Sequence, residues 1–219
     1  MGARLRADLP KALVPLCGTP ILVHTLRRIA RISPGAVPVV LVPPEHHAAF
    51  ARVCATYETP CRLLHGGAER QDSVRAGLEA LPSDTGIVAI HDAARCLIRP
   101  EPVLAAVAAA EACGAATVAV PVVDTILVAD AEEYLESTPD RRTLWACQTP
   151  QVFQYEVIMA AHRSARAEGF LGTDDASLVR RAGGRVKLVA GDSSNIKITR
   201  PADLRMAEAL LAEEDSCTG

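Results

Sequence analysis

Aromatic residues are scarce in this sequence: three Phe, three Tyr and one Trp make up only 3% of 219 residues. That scarcity argues against a base-stacking platform for single-stranded nucleic acid. No excess charge of one sign is present either, because 23 basic and 26 acidic side chains leave a net charge of -3. Nothing therefore marks a polyanion-binding surface, and no nucleic-acid partner is expected. No apolar run approaches the roughly 20 residues a membrane helix needs, and no signal-peptide pattern opens the sequence. Neither a membrane partner nor export is expected. The seven cysteines are scattered, with no C-x-x-C pair. That speaks against a disulfide framework or a zinc site and for reduced thiols in the cytoplasm. What the chain does have is 49% hydrophobic residues, enough for one α/β domain with a sizeable core.

Apolar, β-branched runs recur at Val37–Val42, Arg62–Leu64, Ile87–Ile90, Thr117–Val123 and Val186–Val189. Short continuous runs of this kind suit strands buried on both faces. Helical patterns lie between them. Thr19 is placed to cap a helix with Pro20 at its first position. A second helix starts near Arg70, with Val74, Leu78 and Leu81 on one face. A third runs from Pro100 to Cys113 and ends at Gly114 as C-cap, and a last one spans Pro201 to about Glu214. Strands alternating with helices imply right-handed crossovers and a doubly wound, mostly parallel sheet with helices on both faces. Ligands of such sheets bind at the carboxyl ends of strands. One segment breaks the rhythm: 124–148 is polar and acidic, and its 25 residues exceed the usual length of a structureless loop. A projecting β-arm that packs on a partner is expected there. Residues 1–219 otherwise read as a single domain, with this arm inserted in it.

Chemistry-bearing residues cluster in three places. The first thirteen residues hold Arg4, Arg6 and Lys11. His91-Asp92-Ala93-Ala94-Arg95 follows the strand Ile87–Ile90, and a Gly/Lys/Arg loop from Gly191 to Pro201 follows Val186–Val189. Each alone has an ordinary reading, a solvated cation or a turn aspartate. Together they supply what a nucleoside triphosphate requires, cations for its oxygens and a carboxylate for magnesium. His46-His47 reads as a solvated face, since adjacent helical residues diverge. Asp174-Asp175 reads as an N-cap before an apolar helix, Cys96 and Cys147 as packing residues, and His91 as a core or supporting residue.

These pieces, in order, are Gly2-x-Arg4, Pro10-Lys11, Gly66-Gly67-x-Glu69-Arg70-x-x-Ser73-Val74, His91-Asp92-Ala93-Ala94-Arg95, Thr149-Pro150-Gln151, Thr173-Asp174-Asp175-Ala176-Ser177 and Asn195-Ile196-Lys197-Ile198-Thr199-Arg200-Pro201. Together they resemble the 2-C-methyl-D-erythritol 4-phosphate cytidylyltransferase family over nearly the whole chain. The resemblance implies a Rossmann-like nucleotidyltransferase fold and transfer from CTP to a sugar-alcohol phosphate with release of pyrophosphate, in non-mevalonate isoprenoid precursor synthesis. It implies catalytic roles for Arg4, Lys11, Asp92 and Lys197, with Asp92 holding Mg2+. It places Gly2, Gly67, Ser73 and Ala93 at CTP, and Thr125, Arg141, Thr149 and Arg95 at the sugar phosphate. Arg141 lies in the arm, so it is expected to serve the other subunit of a homodimer.

Relatives open with a hydrophobic strand and a Pro-Ala-Ala-Gly segment, whereas this sequence starts at Met1 inside that loop. The expectation drawn is a natural start further upstream. Cys96 stands where relatives carry proline, with little expected consequence. Competing readings are a ribitol-5-phosphate cytidylyltransferase, a nucleotidyltransferase using UTP or GTP, and a non-catalytic nucleotide-binding remnant.

Overall fold

The structure is a computed structural model that describes residues 9–217, with side chains through residue 214. Its elements alternate along the chain. A small hairpin of β1 (Pro15–Leu16) and β2 (Thr19–Pro20) leads into α1 (Ile21–Ile32). β3 (Val39–Val42), α2 (His47–Thr56), β4 (Arg62–His65), α3 (Arg70–Glu79), β5 (Ile87–Ile90), α4 (Pro100–Cys113) and β6 (Ala115–Pro121) follow. After β7 (Val128–Ala129) and β8 (Leu135–Ser137) come β9 (Trp145–Gln154), α5 (Tyr155–Ala167), α6 (Asp175–Arg181), β10 (Lys187–Ala190) and α7 (Pro201–Cys217).

The fold is α/β with a mixed sheet. Four strands are ordered β10-β6-β9-β5, and β3 pairs with β4 in a separate parallel ladder. β10 runs parallel to β6, while β9 runs antiparallel to both β6 and β5. Side-chain alternation along β9 divides the core between the two faces of the sheet. Phe153 joins Ile158, Leu178 and Val179 under α5 and α6. Val152 joins Ala106, Ala110 and Ala116 under α4. Small residues on both α4 and β6 let that helix approach the sheet closely.

The strand expectations hold within a few residues, and each offset has a local cause. β3 starts at Val39 rather than Val37, because Pro38 has no N–H for the ladder and only its carbonyl takes part, accepting from Arg62 N at 2.8 Å. β6 begins at Ala115 and ends at Pro121, leaving Val123 79% exposed. α1 corrects the cap assigned to it. Thr19 and Pro20 belong to β2, no side chain caps the helix, and Ile21 N donates instead to the Val14 carbonyl at 3.0 Å.

β9 has no counterpart among the expected strands. Its centre reads Gln-Thr-Pro-Gln, and proline inside a run argues against a central strand. The structure accommodates Pro150 through a register slip. Thr117 faces Gln151 and Ala119 faces Cys147, so Gln148, Thr149 and Pro150 lie where the ladder with β6 is interrupted. A bulge of this kind re-aims side chains, here toward the strand ends.

The expected arm is a solvent-exposed hairpin of β7 and β8. Asp130 Oδ1 accepts from the backbone N–H of Glu132 and of Tyr134, both at 2.9 Å, which fixes its turn. Trp145–Gln148, assigned to the arm from the sequence, already belong to β9.

Candidate active site

β5, β6 and β10 share one direction, because β5 and β6 both oppose β9 and β10 parallels β6. Their carboxyl ends therefore lie on one side of the sheet, and two of the three charged clusters leave from there. From β5 comes Asp92, and from β10 comes the loop that carries Lys197. Lys197 Nζ lies 2.7 Å from Asp92 Oδ2. Arg95 Nε is 4.0 Å from the same oxygen, and Arg70 Nε is 4.0 Å from Oδ1. Burial acts to raise the Asp92 pKa, but Lys197, Arg70 and Arg95 prevail and hold the carboxyl below its usual range. Lys11 lies close enough to feel Lys197 and Asp92, and burial followed by repulsion from Lys197 lowers its pKa. Three cations thus lie within 4.0 Å of one partly desolvated carboxylate, with Lys11 in the same field, an arrangement suited to holding polyanions.

The loops that present these charges are tied together. Ile198 N donates to the Ala94 carbonyl at 2.9 Å, which lays the Lys197 segment alongside residues 92–95. Arg95 donates from Nη1 to the Asn195 carbonyl at 2.8 Å and from Nη2 to the Cys147 carbonyl at 3.1 Å. Asn195 Nδ2 reaches the Thr149 carbonyl at 3.0 Å. Gly191 allows close approach: a Cβ there would meet Gln148 Oε1 at 2.5 Å and Val118 Cγ1 at 2.7 Å, so both side chains would have to shift. Ala93 is anchored from α1, whose Thr25 Oγ1 donates to its carbonyl at 2.8 Å.

Thr149 and His91 set the backbone of Asp92. Asp92 N donates to Thr149 Oγ1 at 3.1 Å, and Thr149 Oγ1 lies 3.0 Å from His91 Nδ1. His91 Nε2 is 3.0 Å from the Arg95 carbonyl, which can only accept. The imidazole therefore carries its proton on Nε2 and accepts a hydrogen bond from the Thr149 hydroxyl at Nδ1. Burial pushes the His91 pKa down to about 4, so the ring stays neutral.

Because the unfolded ring titrates near 6.5, the unfolded state takes up this proton first as pH falls. Stability attributable to neutral His91 is complete above pH 6.5 and is lost as pH falls toward 4. The loss amounts to about 3 kcal/mol. Urea unfolding of wild type and His91→Gln at pH 7 and pH 4 should show the variant missing that part of the acid loss; parallel curves would refute it.

On the other flank, Gly67 N donates to Ser73 Oγ at 3.0 Å and Ser73 Oγ donates to the Glu69 carbonyl at 3.1 Å, closing the turn into α3. Side chains missed in the sequence support this flank. Arg70 Nη1 bonds Asp175 Oδ2 at 2.7 Å, and Asp175 Oδ1 bonds His162 Nε2 at 3.1 Å. Gln151 is fully buried, and its Oε1 accepts from Asp175 N at 3.0 Å and Ala176 N at 3.1 Å. Its Nε2 donates to Asp174 Oδ2 at 2.8 Å. Asp174 caps α6 as expected, accepting from Ser177 N at 2.8 Å.

Lys11, Asp92, Arg95 and Lys197 are thus brought together, with Thr149 against Asp92. Gly67 and Ser73 meet at the start of α3. Arg4 and Gly2 lie outside the described residues. Thr125 and Arg141 are exposed on the arm, where Arg141 Nη1 donates to the Val123 carbonyl at 2.9 Å. Among the described residues no hydrogen bond or ion pair joins either to Asp92 or Lys197. Cys96 is a packing residue, fully buried. Cys147, read the same way, is exposed, yet its thiol makes polar contacts with Gln151 Nε2 and Asp174 Oδ2. Arg70 stands in a quoted motif, yet the carboxylate it needs lies 105 positions away, a pairing no local pattern reveals.

A family model described as 2-C-methyl-D-erythritol 4-phosphate cytidylyltransferase (IspD) matches residues 1–213. The enzyme so named from Caldanaerobacter subterraneus subsp. tengcongensis is 46% identical over 211 residues, covering 95% of this chain and 93% of that protein. The crystal structure of 2-C-methyl-D-erythritol 4-phosphate cytidylyltransferase from Thermus thermophilus is similar at 34% identity and TM-score 0.81, covering 93% of this chain and 94% of that one. That of 4-diphosphocytidyl-2C-methyl-D-erythritol synthase from Anaerococcus prevotii is similar at 28% identity and TM-score 0.84, covering 92% and 93%.

Proposed function

Because this chain belongs to the 2-C-methyl-D-erythritol 4-phosphate cytidylyltransferase family, we propose that it joins CTP to 2-C-methyl-D-erythritol 4-phosphate, giving 4-diphosphocytidyl-2-C-methyl-D-erythritol and pyrophosphate. The observation that carries this reading is the Lys197–Asp92 ion pair at 2.7 Å, with Arg70, Arg95 and Lys11 around it. The acceptor is a phosphate monoester whose second pKa is about 6, so it is already a dianionic nucleophile near neutral pH. It needs no general base, and His91 is unsuited to be one, with both ring nitrogens engaged. The barrier lies in bringing one anion onto the α-phosphate of another. Lys11 and Lys197 neutralise the charge that gathers there and fix the attacking oxygen in line, with Arg4 as a further cation of the same set. The α–β phosphoanhydride bond breaks as the new P–O bond forms, and pyrophosphate leaves.

Asp92 is the residue that would hold Mg2+. One carboxylate plus substrate phosphates is an ordinary donor set for this ion, so the site fits it. When bound, the ion would neutralise triphosphate charge. The Gly67–Ser73 turn is the assigned cytidine side and Ala93 is assigned with it, together with Gly2. Arg95, Thr149, Thr125 and Arg141 are the assigned sugar-phosphate side.

The arm is assigned to a homodimer. A two-stranded hairpin is marginal alone, and Leu127, Tyr134 and Leu135 are each more than 60% exposed on it, an apolar surface of the kind that marks an interface. Arg141 would then serve the partner's site. The reducing cytoplasm suits the scattered thiols.

The test is pyrophosphate release with each of the four nucleoside triphosphates and with methylerythritol phosphate or ribitol 5-phosphate. CTP with methylerythritol phosphate is expected to turn over fastest. Preference for ribitol phosphate or for UTP would overturn the assigned substrates. Unchanged CTP binding and no turnover in wild type, Asp92→Ala and Lys197→Ala alike would mark a non-catalytic binder.

A further inference from the structure

Asp175 is the most deeply buried carboxylate described, 1% exposed, and burial of an unaccompanied carboxylate is prohibitively unfavourable. It is held from three sides. Gln151 Oε1 accepts its backbone N–H at 3.0 Å, His162 Nε2 lies 3.1 Å from Oδ1, and Arg70 Nη1 lies 2.7 Å from Oδ2. His162 is itself fully buried, and its Nδ1 finds no partner among the described residues. Arg70 is therefore pinned from behind by a rigid carboxylate, although its own side chain is 40% exposed. Its Nε edge faces Asp92 Oδ1 at 4.0 Å, while Lys197 holds Oδ2 at 2.7 Å. Coulombic attraction from Asp175 first, then from Asp92 and Asp174, outweighs burial and keeps this guanidinium firmly charged.

We propose that Arg70 is a positioning residue for the transfer reaction, clamped by the Asp175–His162 pair so that its guanidinium orients the Asp92 carboxylate through the oxygen Lys197 does not hold. Arg70 is also the first residue of α3, directly after the Gly67–Ser73 turn. The same side chain thus couples the nucleotide flank of the site to the acceptor flank. Arginine suits this geometry, because its Nη1 bonds Asp175 while its Nε lies 4.0 Å from Asp92, so one planar group faces two carboxylates along two separate edges. A lysine ammonium can satisfy Asp175 but has no second edge for Asp92.

This inference rests on the cytidylyl-transfer reading, and its test separates the two. Arg70→Met alone would strand a buried charge, so it is made together with Asp175→Asn, which removes that charge. With CTP and methylerythritol phosphate, the double variant is expected to lose about 100-fold in kcat, the scale of a misplaced catalytic group, with KM for CTP changed less than about threefold. Arg70→Lys is expected not to restore kcat. Adding Asp92→Asn to the double variant should lower kcat no further than Asp92→Asn does alone, since residues acting as one unit are non-additive. A purely structural role predicts the opposite, a lower melting temperature with wild-type kcat and additive effects, and would overturn the proposal. Silence of the wild type overturns the assigned reaction instead. Crystal structures then decide the inference: Asp92 should leave its orientation in the double variant, and an Asp92 carboxylate unmoved beside Lys197 would refute it.

Discussion

Lys197→Met is expected to lower kcat/KM for cytidylyl transfer by about 10³-fold while leaving the melting temperature within a few degrees of wild type. The two halves of that expectation have separate causes. Lys197 is 44% exposed, and Arg70 and Arg95 remain within 4.0 Å of the 19% exposed Asp92 carboxylate when the ammonium is lost, so as a stabilising contact it is worth little, roughly 1 kcal/mol. In the transfer step the same ammonium faces charge that develops only as the two phosphates meet, where loss of one preorganised donor costs about 10²–10³-fold. The upper figure applies because the substitution also frees Asp92, leaving a carboxylate without its nearest counter-charge beside two incoming anions. Methionine keeps most of the unbranched stem and removes the ammonium with its charge and donors. Steady-state pyrophosphate release and a thermal melt on the same preparation check both halves. Activity within threefold of wild type would show that Lys197 lies outside the reaction.

Gln151→Leu should act in the reverse sense, on stability before activity. Five contacts converge on this one amide: Asp175 N, Ala176 N, Asp174 Oδ2, Thr117 Oγ1 and Cys147 Sγ. Leucine fits the volume but leaves the two N–H groups at the start of α6 buried without an acceptor. Each such group costs about 1–3 kcal/mol, so a total loss of about 3–5 kcal/mol is expected. α6 also carries Asp175, so loosening it releases Arg70 and should lower kcat as a secondary effect. Urea unfolding gives the stability change, and a loss below about 1 kcal/mol would show that α6 is anchored elsewhere.

The contrast between these residues is also a contrast in legibility. Lys197 is legible in the sequence only through the family resemblance, because Asn195-Ile196-Lys197-Ile198-Thr199-Arg200-Pro201 stands as one contiguous motif after a clear strand; on its own it reads as a solvated cation. The role of Gln151 is not legible. It stands in a Thr-Pro-Gln run that breaks every strand pattern, and its role appears only when β9 pairs with β5 and β6 and alternation puts it on the Phe153 face, beneath α6. His91 lies between these cases. Its position at the end of β5 was readable, whereas its tautomer follows from the Arg95 carbonyl and the Thr149 hydroxyl.

From the amino acids alone came the alternation of strands and helices, the strand ends that carry Asp92 and the Lys197 loop, the capping of α6 by Asp174 and the presence of an arm, though not its end, which β9 sets before Trp145. All of these rest on nearest-neighbour physics: hydrophobic period, turn chemistry and caps act within about ten residues. The antiparallel insertion of β9, the Arg70–Asp175 clamp and the turn of Cys147 into a polar contact were decided by tertiary structure. Each joins segments far apart in the chain, and whether a buried polar group is satisfied depends on which distant partner the packing delivers.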